Sequence, residues 1–247
     1  MHLLLRSELT KAVTLPSIAV TALTALVVPP ALALVTGLNF QPTDRRWDSF
    51  PIESHGFEVA GFGQPLVILL AALIAGTEFM DQQLRTTLTA TPRRGRVIAA
   101  KLTIVVAFAA AIGLIATGAA VLLKHAALGE YGLAPSDFTA GMGWNVAGVV
   151  LNYSLMSLIA ATLTLLTRSF IVTLIVLIPM VLGLTIGLVQ AIPALVYLPD
   201  LAGIQLLTTY PGMGLLEPMP GALVMAGWTL ALTTTATIVF VRRDTNG

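Results

Sequence analysis

Apolar residues dominate six runs of this chain, and shorter polar segments separate the runs. Each run holds about 18 to 24 residues, which form a helix of roughly 27–36 Å at a rise of about 1.5 Å per residue. Such a helix matches the hydrocarbon core of a bilayer, which is about 30 Å thick. The pattern therefore predicts an all-α integral membrane protein with six transmembrane helices. We place these helices at residues 14–37, 59–76, 102–123, 146–167, 170–189 and 221–241.

Residues 190–220 are mostly apolar, but they do not suit a seventh span. Five prolines interrupt this stretch and break any helix long enough to cross the bilayer. A helix over the ten residues 201–210 would measure only about 15 Å, half the thickness of the membrane. We predict a short re-entrant or interfacial hairpin on the outer side, whose backbone has to be covered by protein. A hydrophobic external loop that lies on the bilayer is the alternative.

Residues 1–13, MHLLLRSELTKAV, combine three consecutive leucines with the polar residues Arg6, Glu8 and Lys11. This combination suits a short amphipathic helix that lies in the cytoplasmic interface of the membrane. The alternative is a frayed flank whose positive charges only anchor the first span.

The composition identifies lipid as the main solvent of the chain. Charged residues make up 10% of the 247 residues and hydrophobic residues 56%, so a soluble fold would lack the polar surface to cover its core. We treat residues 1–247 as a single transmembrane domain. Cysteine is absent, which excludes disulfides and thiol nucleophiles. The three histidines are far apart in the sequence, which argues against a zinc site, and the net charge of +1 predicts no nucleic-acid role.

The distribution of lysine and arginine predicts the orientation of the spans. With six spans, ten of the 13 basic residues fall on the side that carries both termini, and three fall on the other side. Because positive charge accumulates in cytoplasmic loops, we expect both termini in the cytoplasm of a cell whose plasma membrane holds this multi-pass protein.

Polar groups inside the predicted spans are few. Asn152, Tyr153 and Ser154 form the main polar patch of the fourth span, and they either face a transport path or bond to a neighbouring helix. Gly183 and Gly187 form a G-x-x-x-G pattern in the fifth span, which lets two helix backbones approach closely and suggests packing between two copies. No nucleophile–base set and no phosphate-binding loop are visible, so we expect no enzymatic activity and no bound ATP.

One charge-dense segment lies between two apolar runs: GTEFMDQQLRTTLTATPRRGRVIAAKL, residues 76–102. Its seven charged residues would cost roughly 20 kcal/mol at the centre of a bilayer, so the segment must lie in the cytoplasm. Met80, Leu84 and Leu88 recur at every fourth position, which indicates one apolar face of a helix.

Further residues bound this helix. Thr77 is suited to cap its start, and Asp81 and Arg85 form a favourable pair four residues apart. Pro92 disfavours helix at the residue before it and so ends the run, after which a new helix leads into the third span. We call residues 77–101 the elbow: a helix, a proline turn, a basic cluster and a second helix. An alternative role for its arginines is to hold lipid phosphates and fix the topology.

The elbow resembles the segment after the second span in permease subunits of ABC-2 type ATP-binding-cassette exporters. That family shows a small residue followed by Glu and an aromatic, then a Leu-Arg-Thr-like run, then Pro-x-Arg and a lysine that enters the third span. The segment above carries this pattern as TEF, LRTT, PRR and Lys101. The opening LLRSELTK is similar to the N-terminal interfacial helix of the same family, in which a Glu and a Lys three residues later recur.

The resemblance implies a fold of six helices with an N-terminal interfacial helix, a coupling helix in the elbow and a re-entrant element between spans five and six. It also implies a pair of permeases, either two copies of this chain or this chain with a homologous permease, assembled with two separate ATPase subunits that bind ATP and Mg²⁺. The residues that would contact the ATPase are Glu78, Phe79, Asp81, Arg85, Leu88, Pro92, Arg93 and Arg94.

The function that the resemblance implies is ATP-driven export of a hydrophobic or amphipathic cargo, such as a drug, a peptide or a lipid. The alternative is a membrane scaffold or assembly factor that recruits a cytoplasmic partner and transports nothing.

Overall fold

The computed structural model describes residues 2–41, 51–79, 94–208 and 214–242, and within these ranges every regular element is helical. The helices of more than eight residues are α1 (His2–Thr14), α2 (Pro16–Leu38), α3 (Ala60–Gly76), α4 (Arg94–Leu128), α5 (Ala140–Thr167), α6 (Phe170–Pro179) and, after two short helices, α9 (Pro218–Arg242). The short helices are α7 (Thr185–Leu188) and α8 (Pro199–Ala202), and a π-helical turn, Met180–Leu184, joins α6 to α7.

Local chemistry explains several helix ends. Pro16 occupies the first position of α2, where its fixed φ suits the helix and its missing N–H costs nothing. The side chain of Thr139 accepts a hydrogen bond from the N–H of Met142 and so caps the start of α5. At the other end of α5, Arg168 adopts a left-handed conformation with φ of 56°, which turns the chain into α6.

The core of the bundle lies between α3, α4 and α5. Small residues of α3 make this packing close: Ala71, Ala72 and Ala75 are fully or almost fully buried against neighbouring helices. Helix α2 packs against α3 and α4, while α6 packs on α3 and α9 packs on α5. We call residues 190–220 the hairpin. The end of the bundle that carries the hairpin is the hairpin end, and the opposite end, which carries α1, is the α1 end.

Within the described residues, five helical segments are long and apolar enough to cross a membrane. They are α2, α4, α5, the continuous segment from α6 to α7, and α9, and their positions confirm five of the six predicted spans. The remaining predicted span, residues 59–76, corresponds to α3, an apolar helix of 17 residues or about 26 Å. Helix α4 is longer than the predicted third span because it begins at Arg94 and continues to Leu128. The prediction of a multi-pass, all-helical membrane protein is therefore confirmed at this level.

The hairpin is broken into short turns. The described part contains the 3₁₀ turns Pro193–Tyr197 and Ile204–Leu206 on either side of α8. Helix α8 ends at Ala202 and a 3₁₀ turn follows. Residues of α8 are buried against α9, so protein covers this part of the backbone. The re-entrant position of the hairpin in the membrane stays a prediction.

Candidate functional site

Lys101 joins three elements at the α1 end of the bundle. Its ammonium Nζ lies 2.5 Å from Oε2 of Glu8 in α1. The same nitrogen donates to the carbonyl oxygen of Ile74 in α3 at 3.2 Å and to the hydroxyl of Thr77 at 3.3 Å. A lysine ammonium has three donors, and this geometry gives each donor an acceptor. We call Glu8, Ile74, Thr77 and Lys101 the elbow base, since the elbow starts at Thr77 and ends at Lys101.

Burial makes this ion pair expensive to break. Lys101 is 2% exposed and Glu8 is 4% exposed, so neither charge is hydrated. A charge left without its partner in such a site costs about 3–5 kcal/mol, whereas the intact pair roughly offsets its own desolvation. The elbow base therefore fixes the relative positions of α1, α3 and α4 at the two ends of the elbow.

A helix, α1, forms where the sequence predicts the interfacial helix, and its acidic side chain faces the protein. Its position in the membrane interface stays a prediction. The second carboxylate oxygen of Glu8 accepts a hydrogen bond from Nζ of Lys11 at 2.8 Å. Arg6 is exposed, as are the apolar side chains of Leu3 and Val13. The surface that α1 turns away from the protein is thus partly apolar, and the structure brings Glu8 and Lys11 together while it leaves Arg6 outside the elbow base.

The first residues of the elbow continue from α3. Thr77, Glu78 and Phe79 form a 3₁₀ turn, and Phe79 packs against the hydrophobic core. The hydroxyl of Thr77 donates to the carbonyl of Ile74, so Thr77 lies at the C-terminal end of α3. The helix that the sequence predicts to start at Thr77 falls largely outside the described residues, and it stays a prediction. Arg94 is the first residue of α4.

Five of the predicted coupling residues lie outside the described residues. They are Asp81, Arg85, Leu88, Pro92 and Arg93. The prediction of a helix that ends at a proline turn falls on the same segment, and it stays a prediction.

The family described as "ABC-2 family transporter protein" matches residues 4–196 of the chain. The chain belongs to this family. The match begins in α1 and runs through the elbow base, the core helices and the start of the hairpin. A search of curated proteins finds no match. Proteins of the ABC-2 family lie in the membrane and generally pair with ABC ATPase subunits, so this chain is a membrane component of a transporter.

Two of the three polar residues of the fourth span are buried in this ABC-2 transporter protein. Asn152 is 0% exposed and its side-chain amide bonds to groups of two other elements. The hydroxyl of Tyr153 donates to the carbonyl of Ala60 at the start of α3 at 2.6 Å. Both side chains thus join helices, which is the second of the two roles considered from the sequence.

Ser154 differs from its two neighbours because it lines an open groove. Its hydroxyl donates to the carbonyl of Val150 one turn earlier in α5. The groove has a volume of about 580 Å³ and lies between α4 and α5. Its other lining residues are apolar or small and include Ala110, Leu114 and Ala147.

The two glycines of the fifth span do not share one regular helix. Gly183 has φ of +114° inside the π-helical turn, a conformation that favours glycine, while Gly187 lies in α7. A Cβ at Gly187 would meet nothing within 4 Å in this chain, so its surface is open to lipid or to a second copy. The packing of two copies through these glycines stays a prediction.

Sequence reasoning missed a second ion pair, at the hairpin end. Lys124 of α4 lies 3.0 Å from a carboxylate oxygen of Glu58 and donates to the hydroxyl of Thr36 in α2 at 2.9 Å. His55 and His125, 70 positions apart, are close enough there to interact electrostatically. The signal available in the sequence was Lys124 itself, a charge that directly follows an apolar run and so needs a partner. Among the described residues no group of three His, Asp or Glu side chains is placed to hold a metal ion.

Proposed function

We propose that this chain is the membrane-spanning subunit of an ATP-driven exporter, and that a separate ATPase moves it through the elbow. The observation that carries this proposal is the elbow base, in which Lys101 is bonded to Glu8, Ile74 and Thr77. A loop between two freely moving helices would absorb a push by bending. An elbow whose two ends are tied to each other and to α1 passes the push to α3 and α4 together.

The proposed topology has six spans, with α3 as the second, and both termini in the cytoplasm of the plasma membrane. It is supported by the excess of lysine and arginine on the side of the termini. It is also supported by the two ion pairs of α4, because Lys101 and Lys124 are 23 positions apart, or about 35 Å along a helix. In this topology one buried lysine lies near each boundary of the hydrocarbon core, which is about 30 Å thick.

In the proposed complex the elbow contacts the ATPase. The contacting residues are those of the predicted set: Glu78, Phe79, Asp81, Arg85, Leu88, Pro92, Arg93 and Arg94. ATP and Mg²⁺ bind to the partner, and the chain itself hydrolyses nothing. Two permeases, alike or different, enclose the transport path with two ATPase subunits.

The cargo in this proposal is hydrophobic or amphipathic: a drug, a peptide or a lipid. The groove between α4 and α5 supports this class, because its lining offers apolar surface and the hydroxyl of Ser154 is already bonded within its own helix. A strongly charged cargo would find no partner along this surface.

Efflux measured with an intact and with a hydrolysis-deficient ATPase partner tests the function. Cells that contain the chain and its ATPase are loaded with fluorescent hydrophobic dyes and labelled lipids, and retention is followed. We expect at least one cargo to leave only when both proteins are present and the ATPase is active. A chain that binds the ATPase while no cargo moves would instead support the scaffold alternative.

A further inference from the structure

A pair of side-chain amides lies inside the bundle, away from the elbow base. Nε2 of Gln64 in α3 donates to Oδ1 of Asn152 in α5 at 2.9 Å, although 88 positions separate the two residues. Nδ2 of Asn152 in turn donates to the carbonyl of Gly203 in the hairpin at 2.8 Å. Through Asn152, therefore, one continuous line of hydrogen bonds joins α3, α5 and the hairpin.

The backbone of the hairpin needs such a partner. The described part of the hairpin consists of short turns, which pair fewer backbone groups among themselves than a long helix does. The carbonyl of Gly203 accepts from the N–H of Leu206 within its turn and from Asn152 across the interface. In an apolar surrounding a side-chain donor of this kind holds irregular backbone in place.

The packing is close around residues 199–206, which we call the tip of the hairpin. A Cβ at Gly203 would lie 2.0 Å from Sδ of Met225 and 2.6 Å from Nδ2 of Asn152. A Cβ at Gly221 would lie 1.9 Å from the carbonyl oxygen of Ala202. The tip therefore sits in a close-fitting socket formed by α5 and α9, and Asn152 is the polar contact at its base.

The same tip reaches well along α5. Gly148 packs on the carbonyl of Leu206, and Asn152, one turn further, bonds Gly203. Asn152 lies eight positions after the exposed Trp144, or about 12 Å along the helix. A tryptophan in such a position anchors a helix at the membrane interface, so Gly203 lies below that interface.

We propose that the bridge from Gln64 to Asn152 is the contact by which a movement of α3 at the elbow shifts the hairpin at the opposite end. This inference rests on the proposed function. Gln64 in α3 and Thr77, which directly follows α3, are 13 positions or about 20 Å apart, and Thr77 is held by Lys101 in the elbow base. Gln64 and Asn152 are thus positioning residues, which act through the hairpin and touch no reacting group.

The absence of cysteine from the chain makes a direct test simple. Thr208, which is 1% exposed and follows the tip, is replaced as Thr208→Cys, and the rate of labelling by a water-soluble maleimide is measured in the complex with its ATPase. We expect a non-hydrolysable ATP analogue to change this rate by about fivefold. The added change Gln64→Met removes the bridge to α3 and keeps the bond between Asn152 and Gly203, so the effect of the nucleotide is expected to vanish.

Asn152→Leu removes both bonds and the 3.8 Å contact of Nδ2 with Sδ of Met225, and is expected to raise labelling with and without nucleotide. The matched control is Thr162→Val, since Thr162 is an equally buried polar residue of α5 whose hydroxyl bonds only carbonyls of its own helix. This control is expected to behave like the parent protein. A nucleotide effect that survives Gln64→Met, or is missing in the parent complex, would overturn the proposal.

The isolated full-length chain separates this inference from the proposed function. If no ATPase binds the chain, the proposed function fails, but labelling of Thr208→Cys in bilayer nanodiscs still reports on the anchor. Faster labelling in Asn152→Leu than in Thr162→Val supports the anchoring step. Equal rates in these two variants would contradict it.

Discussion

Glu8 and Lys101 are 93 positions apart in the sequence, and their charged atoms lie 2.5 Å apart in a site that excludes water. Both side chains are buried, although each carries a full charge. The pair connects the first helix of the chain to both ends of the elbow, because Lys101 also bonds Thr77 and the carbonyl of Ile74. Because of this contact, α1 and the two ends of the elbow are expected to move together.

Removal of either charge is expected to destabilise the protein. Glu8→Leu takes the carboxylate away from the buried ammonium of Lys101, which costs about 3–5 kcal/mol. Lys101→Met is expected to cost less, because Glu8 keeps its ion pair with Lys11. The double variant Glu8→Leu, Lys101→Met leaves neither charge behind, so we expect it to be more stable than the sum of the single effects predicts. The measurement is the midpoint of thermal unfolding of the purified protein in detergent, followed by tryptophan fluorescence.

Arg6→Met is the control for this cycle, because Arg6 is exposed on the same helix. Its midpoint should stay close to that of the parent protein. Strict additivity of the two single effects in the double variant would show that Glu8 and Lys101 do not interact in the folded protein.

A single methyl group added at Gly221 is expected to disrupt the packing of α8 against α9. The Cβ added by Gly221→Ala would lie 1.9 Å from the carbonyl of Ala202, and a backbone atom cannot move aside cheaply. Overpacking of this kind costs about 1–3 kcal/mol. Gly227→Ala, in the same helix but with nothing within 4 Å of the new Cβ, should change the unfolding midpoint little. Equal midpoints for the two variants would show that the hairpin does not pack on α9 as described.

The sequence predicted the elements of this fold better than their contacts. Apolar runs of membrane length located five of the spans, since a helix must satisfy its own backbone in lipid. The run from 102 to 123 did not reveal that α4 extends to Leu128, because the turns beyond Lys124 are stabilised by contacts with distant residues. The burial of Glu8 was equally hidden. The sequence around Glu8 predicts only a polar residue of an amphipathic helix. The contact with Lys101 arises from the tertiary structure.

The candidate site was predicted in part for the same reason. Local pattern indicated that residues 77–101 form a charged element outside the membrane, and the structure places their two ends together. It predicted Thr77 at the start of a helix, and it did not show that the hydroxyl of Thr77 bonds back to Ile74 at the end of α3. Sequence pattern alone does not distinguish these two roles, since threonine hydroxyls bond to backbone groups at either end of a helix.

Stability is expected to depend on pH through His55. Burial lowers the pKa of His55 from its ordinary value of 6.5 to about 4. The nearby charge of Glu58 opposes this shift, whereas Lys124 and His125 add to it. Between pH 6.5 and 4 the unfolded chain takes up a proton that the folded chain does not, so stability falls as the pH falls through this window. Above pH 6.5 the contribution is present in full.

Unfolding midpoints at several pH values between 7.5 and about 4 measure this effect. His55→Asn should flatten the slope below pH 6.5, because it removes the titrating group. His2→Asn, at an exposed position of α1, should leave the slope unchanged. An identical slope in the parent protein and in His55→Asn would show that His55 titrates alike in the folded and unfolded chain.

The amount of ABC ATPase that stays bound to the tagged, full-length chain after purification tests the central claim most directly. We predict that the parent chain retains one ATPase subunit per copy of the chain. Replacing two elbow residues, Asp81→Ala with Arg85→Ala, is expected to reduce retention by about tenfold or more. Arg242→Gln removes an exposed charge near the C-terminus and should leave retention unchanged. Undiminished retention in the elbow variant, or no ATPase bound to the parent chain, would contradict the account.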